Sequence, residues 1–217
     1  MSFVRARNDE NKKVRLEQIK EAALKLFDEM PYHEITLSKV GKEINFTRAN
    51  LYKYISTKED IYILIIMDEI NRVIDDMESS LVQADPLDTY TLAHQWANIL
   101  NNHPRYLKLF SLLFTMLEQN TTLETLIEFK NYLAVVNGRI LKILKHNLPE
   151  FDDQDLAKLM DMAFSYIIAR YPLCNPSPVQ IEATKLSAYN YEFPNFVESF
   201  SEALVYLING MKLEKIK

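Results

Sequence analysis

Between positions 48 and 53 the chain carries Arg48, Asn50, Tyr52 and Lys53, with Thr36 and Thr47 before them and Lys58 after. These residue types meet nucleic acid. Arginine makes a two-pronged contact with a guanine edge and asparagine with an adenine edge. Threonine, tyrosine and lysine donate to phosphate oxygens, which fixes position without reading sequence. Arg48 and Asn50 are therefore the candidates for base edges, and Thr36, Thr47 and Lys53 the candidates for phosphates.

For that chemistry the side chains must stand on the outer side of a short, well-anchored helix. Leu37, Val40 and Ile44 recur at spacings of three and four, one face of a helix beginning after Thr36, its N-cap. Gly41 inside that helix costs stability relative to alanine, which points to close approach by the element that follows. Asn45 stands where the chain must turn sharply, and asparagine tolerates the left-handed region. Thr47 caps a second helix over 47–53, with Phe46 and Leu51 turned inward and Arg48, Asn50 and Lys53 outward. The stretch TLSKVGKEINFTRANLYKYISTK, 36–58, reads as a helix-turn-helix.

On Thr36, Val40, Gly41, Phe46, Thr47, Leu51, Tyr52, Tyr54, Lys58 and Glu59, the sequence resembles the tetracycline-repressor (TetR) family of bacterial transcriptional regulators. The resemblance covers about residues 12–62. It departs from the family's pattern at Asn45, where glycine is usual, and at Ile55, where phenylalanine is usual; both changes preserve the physics. The resemblance implies a homodimer, most often a repressor, on a pseudo-palindromic double-stranded DNA operator, and it carries Tyr52 and Lys58 over as phosphate contacts. It also implies a small-molecule effector in a larger domain that shifts a linking helix and weakens operator binding.

Composition sets the wider frame. Three glycines and eight prolines in 217 residues, with no sustained period-two alternation, argue for an all-α protein. The expected layout is a three-helix DNA-binding domain over 1–56 followed by a larger helical effector-binding and dimerisation domain over 57–217. The net charge of −5 is unevenly spread: residues 1–58 hold 12 basic against 8 acidic side chains, and residues 59–217 hold 13 against 22. A basic head on an acidic body fits a protein that meets phosphates at one end. The single cysteine, Cys174, has no internal partner, and no apolar signal segment opens the chain, so a cytoplasmic location is expected. The longest apolar run, Ile61 to Met67, falls far short of the roughly 20 residues of a membrane helix.

In chain order, residues 1–9 lack periodicity and carry Arg5 and Arg7, either an arm reaching DNA or a frayed end. A helix over 10–29 shows Leu16, Ile19, Ala23, Leu26, Phe27 and Met30 on one stripe, ended by Pro31. Ser56-x-x-Glu59 and Thr57-x-x-Asp60 are overlapping capping boxes for a helix running to about Leu81, apolar all round at first and amphipathic later, hence the mechanical link. Further helices are expected over about 86–101, 104–119, 122–147, 154–171 and 178–189, and from Pro194 to about Gly210, with a loop over 171–178. Stripes on the helices over 154–171 and 194–210, with Met162, Val197, Val205 and Tyr206 lying off them, suit either a four-helix bundle across a two-fold axis or a wide internal core.

His94, Trp96, Asn98, Met116, Asn131, Tyr132, Tyr166 and Arg170 interrupt apolar runs in the body, as polar anchors of an effector pocket do; each by itself also suits core or surface. Arg170 suits an anionic ligand or a salt bridge at a helix end. The four histidines show no metal-ligand spacing, and the acidic cluster Asp75, Asp76, Glu78 suits a solvated face. No phosphate loop, catalytic serine motif or cysteine–histidine pairing is visible, so neither enzyme activity nor a metal or cofactor is expected. The alternative within the same fold is a constitutive DNA-binding or partner-recruiting factor without an effector.

Overall fold

The computed structural model describes residues 2–215, with side chains from Glu10 onward. Every regular element among them is helical. Eleven α-helices follow in order: α1 Ser2–Glu29, α2 Leu37–Glu43, α3 Arg48–Leu51, α4 Lys58–Leu81, α5 Thr89–Asn101, α6 Pro104–Leu112, α7 Glu118–Asn120, α8 Leu123–Asn147, α9 Asp153–Cys174, α10 Pro178–Leu186 and α11 Phe196–Glu214. A 3₁₀ turn, Tyr32–Glu34, separates α1 from α2, and a π-turn, Leu113–Leu117, joins α6 to α7.

Two compact units divide the chain. The first holds residues 1–68 and 113–132, the second 69–112 and 133–217. The boundary thus falls inside α4, after Asp68, rather than at the helix start expected from sequence, and a distant stretch joins the head. The reason is visible at the start of α4. Ile61, Tyr62, Ile63, Ile65 and Ile66 are all buried, so the first turns of this helix need neighbours on every side.

In the first unit the α1 stripe of Ile19, Ala23, Leu26 and Phe27 is buried with Ile35, Val40, Leu51 and Ile55. Tyr62 locks this core, donating from its hydroxyl to the Ala23 carbonyl at 2.9 Å, with its ring 5.5 Å from Phe27 and 5.2 Å from Tyr32. In the second unit α11 lies against α5 and α9, and α6 against α9. There Phe200 is fully buried, edge-on to Trp96 at 5.9 Å and stacked on Phe196 at 5.7 Å.

Several elements differ from their sequence expectation. α1 begins at Ser2 rather than near residue 10, because nothing between there and Glu29 breaks a helix, and each added residue gains a bond at little cost. Arg5 and Arg7 have side chains outside the described residues. The loop expected over 171–178 starts only after Cys174. Pro172 removes one bond near the end of α9, while Tyr171 is buried edge-on to Phe196 at 5.5 Å and Asn175 closes the helix through bonds to the Tyr171 carbonyl. The expected helix over 104–119 is split by the π-turn, and the last helix runs past Gly210 to Glu214. Of the two capping boxes only Thr57–Asp60 forms; Glu59 instead accepts from the Tyr32 hydroxyl at 2.8 Å.

Candidate nucleic-acid interface

Thr36 and Thr47 cap the two helices of the motif. Thr36 accepts from the Lys39 amide and Thr47 from the Asn50 amide, both at 3.2 Å. A hydroxyl that accepts at a cap still has its own proton to donate, so both remain competent for a phosphate. Asn45 is the one non-glycine residue with positive φ among those described, at 55°. Gly41 is where α3 comes closest: a Cβ there would lie 2.8 Å from Leu51 Cδ1 and 2.9 Å from the Phe46 carbonyl oxygen. The latter is backbone and cannot swing aside. Leu51 is fully buried beneath, and the Phe46 ring lies 6.4 Å from Tyr54 with the Arg15 guanidinium 5.5 Å above it.

The recognition helix is shorter than expected, Arg48–Leu51, because residues 52–54 close as turns on the Leu51 and Asn50 carbonyls. Arg48, Ala49, Asn50, Tyr52 and Lys53 are all exposed. Arg48 lies along Tyr52, donating from Nε at 3.2 Å and Nη2 at 2.9 Å to the phenol oxygen, with its guanidinium carbon 5.3 Å from the ring centre. This pre-orients the fork and leaves Nη1, and the Tyr52 proton, free to bond elsewhere.

Lys58 is placed differently from the other six. Its ammonium donates to the carbonyls of Tyr32 at 3.1 Å and Ile35 at 3.0 Å and lies 4.2 Å from the Tyr32 ring centre. It clasps the chain leading into α2, with at most one donor left for a phosphate. Tyr32, which sequence reasoning used only as part of a helix stop, is the centre of this clasp; burial and then the Glu59 hydrogen bond push its hydroxyl well above the ordinary phenol range.

The eight residues put forward for an effector pocket are divided between the two units, five in the second and three in the first. Trp96, Tyr166 and Arg170 gather around α11: the Tyr166 ring is 6.2 Å from Phe200, its hydroxyl donates to the Ser199 carbonyl at 3.0 Å, and Arg170 Nη2 donates to Ser199 Oγ at 3.1 Å. His94 and Asn98, one turn apart on α5, are exposed and bonded to each other at 2.9 Å, on the side away from buried Trp96. Met116, Asn131 and Tyr132 belong to the first unit, where Met116 and Asn131 are exposed and Tyr132 donates to the Met67 carbonyl at 2.8 Å. Spacing along separate helices carries no information about which faces meet.

The outer side of α9 and α11 has its own character. A concavity of about 550 Å³ is lined by Met162, Tyr206, Leu207, Gly210 and Met211 together with the charged Asp155, Lys158, Asp161, Glu214 and Lys215. Tyr206 is 67% exposed, too much for an internal core.

An exposed, doubly capped helix-turn-helix in an all-helical chain defines a DNA-binding regulator. The sequence signature of bacterial regulatory proteins of the tetR family matches residues 19–65, and that of the tetracyclin repressor-like C-terminal domain matches residues 67–215. The chain belongs to the TetR family. It is 27% identical over 135 residues to the fatty acid metabolism regulator protein of Bacillus subtilis, a match spanning 62% of this chain and 63% of that protein. Its fold is similar to that of the fatty acid degradation regulator FadR from Bacillus halodurans, with a TM-score of 0.58 at 15% identity over 90% of this chain and 95% of that one. It is also similar to FadR from Bacillus subtilis in complex with stearoyl-CoA, with a TM-score of 0.54 at 17% identity over 89% of this chain and 98% of that one. Among the described residues no helix is long and apolar enough to cross a membrane.

Proposed function

We propose that this protein is a cytoplasmic, homodimeric repressor that binds a pseudo-palindromic operator and releases it on binding a long-chain acyl-CoA. The observation that carries the DNA reading is the exposed set Arg48, Asn50, Tyr52 and Lys53 on a helix anchored by Thr47, Gly41 and Leu51. Two such helices, one per subunit, would enter successive major grooves about 34–36 Å apart. Arg48 and Asn50 read base edges. Thr36, Thr47, Tyr52 and Lys53 hold phosphates, and Lys58 chiefly holds α2 in place.

The concavity on α9 and α11, where Met162, Leu207, Met211 and the exposed Tyr206 lie among charged residues, supports dimerisation through a four-helix bundle, since interfaces combine apolar and aromatic surface with polar groups. The acyl-CoA effector is supported by the relatives, one named for fatty acid metabolism and another solved with stearoyl-CoA. Arg170 adds to this, because its Nε is buried without an acceptor, and a cation so placed favours an anionic ligand nearby. An effector shifts the equilibrium only by its preference for the non-binding state.

The test begins with selection of duplexes from a randomised library by the full-length protein, followed by sedimentation of the complex. A two-fold-related sequence bound by one dimer is expected. Titration with stearoyl-CoA should then weaken binding to that duplex. Operator binding indifferent to bound stearoyl-CoA would instead establish a constitutive regulator.

A further inference from the structure

Asp60 is 3% exposed, and its two carboxylate oxygens do different things. Oδ2 closes the capping box of α4, accepting from the Thr57 amide at 2.9 Å and the Ser56 amide at 3.3 Å. A capping residue needs no more than that. Oδ1 takes three further donors from a site 61 and 62 residues away: Thr121 Oγ1 at 2.6 Å, the Thr122 amide at 2.8 Å and Thr122 Oγ1 at 3.0 Å. Thr122 is the residue just before α8; its carbonyl accepts from Leu126 and its hydroxyl oxygen from Thr125. The positive ends of two helices, α4 and α8, therefore converge on one buried carboxylate, each favouring its charged form. Burial alone would raise the carboxyl, but the bonds from Thr121, Thr122 and Thr57 outweigh it and hold Asp60 below the ordinary carboxylate range.

The position of this junction gives it a use. Ser56 and Thr57, held by Oδ2, follow the recognition helix by only a few residues, and Ile55 between them is anchored to the Leu51 carbonyl at 3.0 Å. On the other side, Thr121 and Thr122 end the stretch that opens with the π-turn Leu113–Leu117, where the chain passes into the first unit. Phe114 and Met116 in that turn are exposed, and a π-turn is a common place for a helix to carry a functional irregularity.

We propose that Asp60 is a positioning residue for operator recognition, tying the corner between α7 and α8 to the chain that leaves the recognition helix. The inference rests on the DNA-binding reading above.

Thr121→Val removes the 2.6 Å bond while leaving the capping box and both helix caps intact. The readout is the ratio of affinity for the selected duplex to affinity for a scrambled duplex, since non-specific binding depends on charge and is insensitive to the aim of the recognition helix. A fall in that ratio of about tenfold is expected, with scrambled-duplex affinity and helical content unchanged, and with Thr121→Ser restoring the ratio. Asp60→Asn, which puts an amide donor against donors, gives the same readout should Thr121→Val lose helical content. An unchanged ratio in the folded variants, or equal losses on both duplexes, overturns the role. A wild-type protein that favours no duplex overturns the DNA reading and this inference with it, whereas a failure confined to the variants overturns this inference alone.

Discussion

The recognition helix α3 and the outer side of α9 and α11 both leave side chains exposed, but of opposite kinds. Around α3 the exposed groups are Arg48, Asn50, Tyr52 and Lys53, and the apolar Leu51 is fully hidden. On α9 and α11 the surface carries Met162, Tyr206, Leu207 and Met211 among charged residues of both signs. The difference follows from what each surface would meet under the proposed function. A nucleic acid presents hydrogen-bonding edges and phosphates, so the protein must offer donors that water can keep satisfied until binding. Another protein subunit offers apolar surface, and removing such surface from water supplies the free energy of association.

The contrast can be broken by swapping the character of each side. Tyr206→Lys puts a cation into the apolar surface while giving α11 a favourable pair with Glu202 one turn earlier, so the protomer should keep its helical content. The dimer dissociation constant should rise by about 100-fold or more, read by sedimentation equilibrium, because the cation and its Glu202 partner would have to be stripped of water. A variant that stays as dimeric as the wild type would remove α9 and α11 from the interface.

Next in size is Gly41→Ala. The added carbon meets the Phe46 carbonyl oxygen and Leu51, so thermal or urea unfolding should show a loss of about 1–3 kcal/mol. Arg48→Ala should cost about 1–3 kcal/mol on the selected duplex and relax its choice at one base pair, whereas Lys53→Ala should weaken all duplexes alike and lower the salt slope by about one. Identical behaviour of these two variants would erase the division between reading and holding. The smallest expected effect on DNA binding belongs to Lys58→Ala. It strands the Tyr32 and Ile35 carbonyls, so stability should fall by about 1 kcal/mol with the salt slope nearly unchanged.

The helix-turn-helix was legible because its determinants are local. Thr36 and Thr47 cap helices through amides three residues on, Asn45 alone takes the left-handed turn, and Gly41 leaves room for a helix only ten residues later. The exposed basic set could be read the same way. Lys58 shows the limit of that reading, since only the fold brings the Tyr32 and Ile35 carbonyls under its ammonium. The effector residues show it again, since His94 and Trp96 sit two positions apart and face opposite ways, whereas Tyr166 and Arg170 meet at Ser199 on another helix.

By itself, then, the sequence determined the all-helical class, the recognition motif, its family and the residues it exposes, because caps, turns and helical periodicity act over a few positions along the chain. Tertiary structure decided that residues 113–132 join the head, that Asp60 serves two helices at once, and which body residues become neighbours. Those outcomes depend on which faces of separate helices come together, and the free energy that selects them is the burial of surface shared between residues dozens of positions apart.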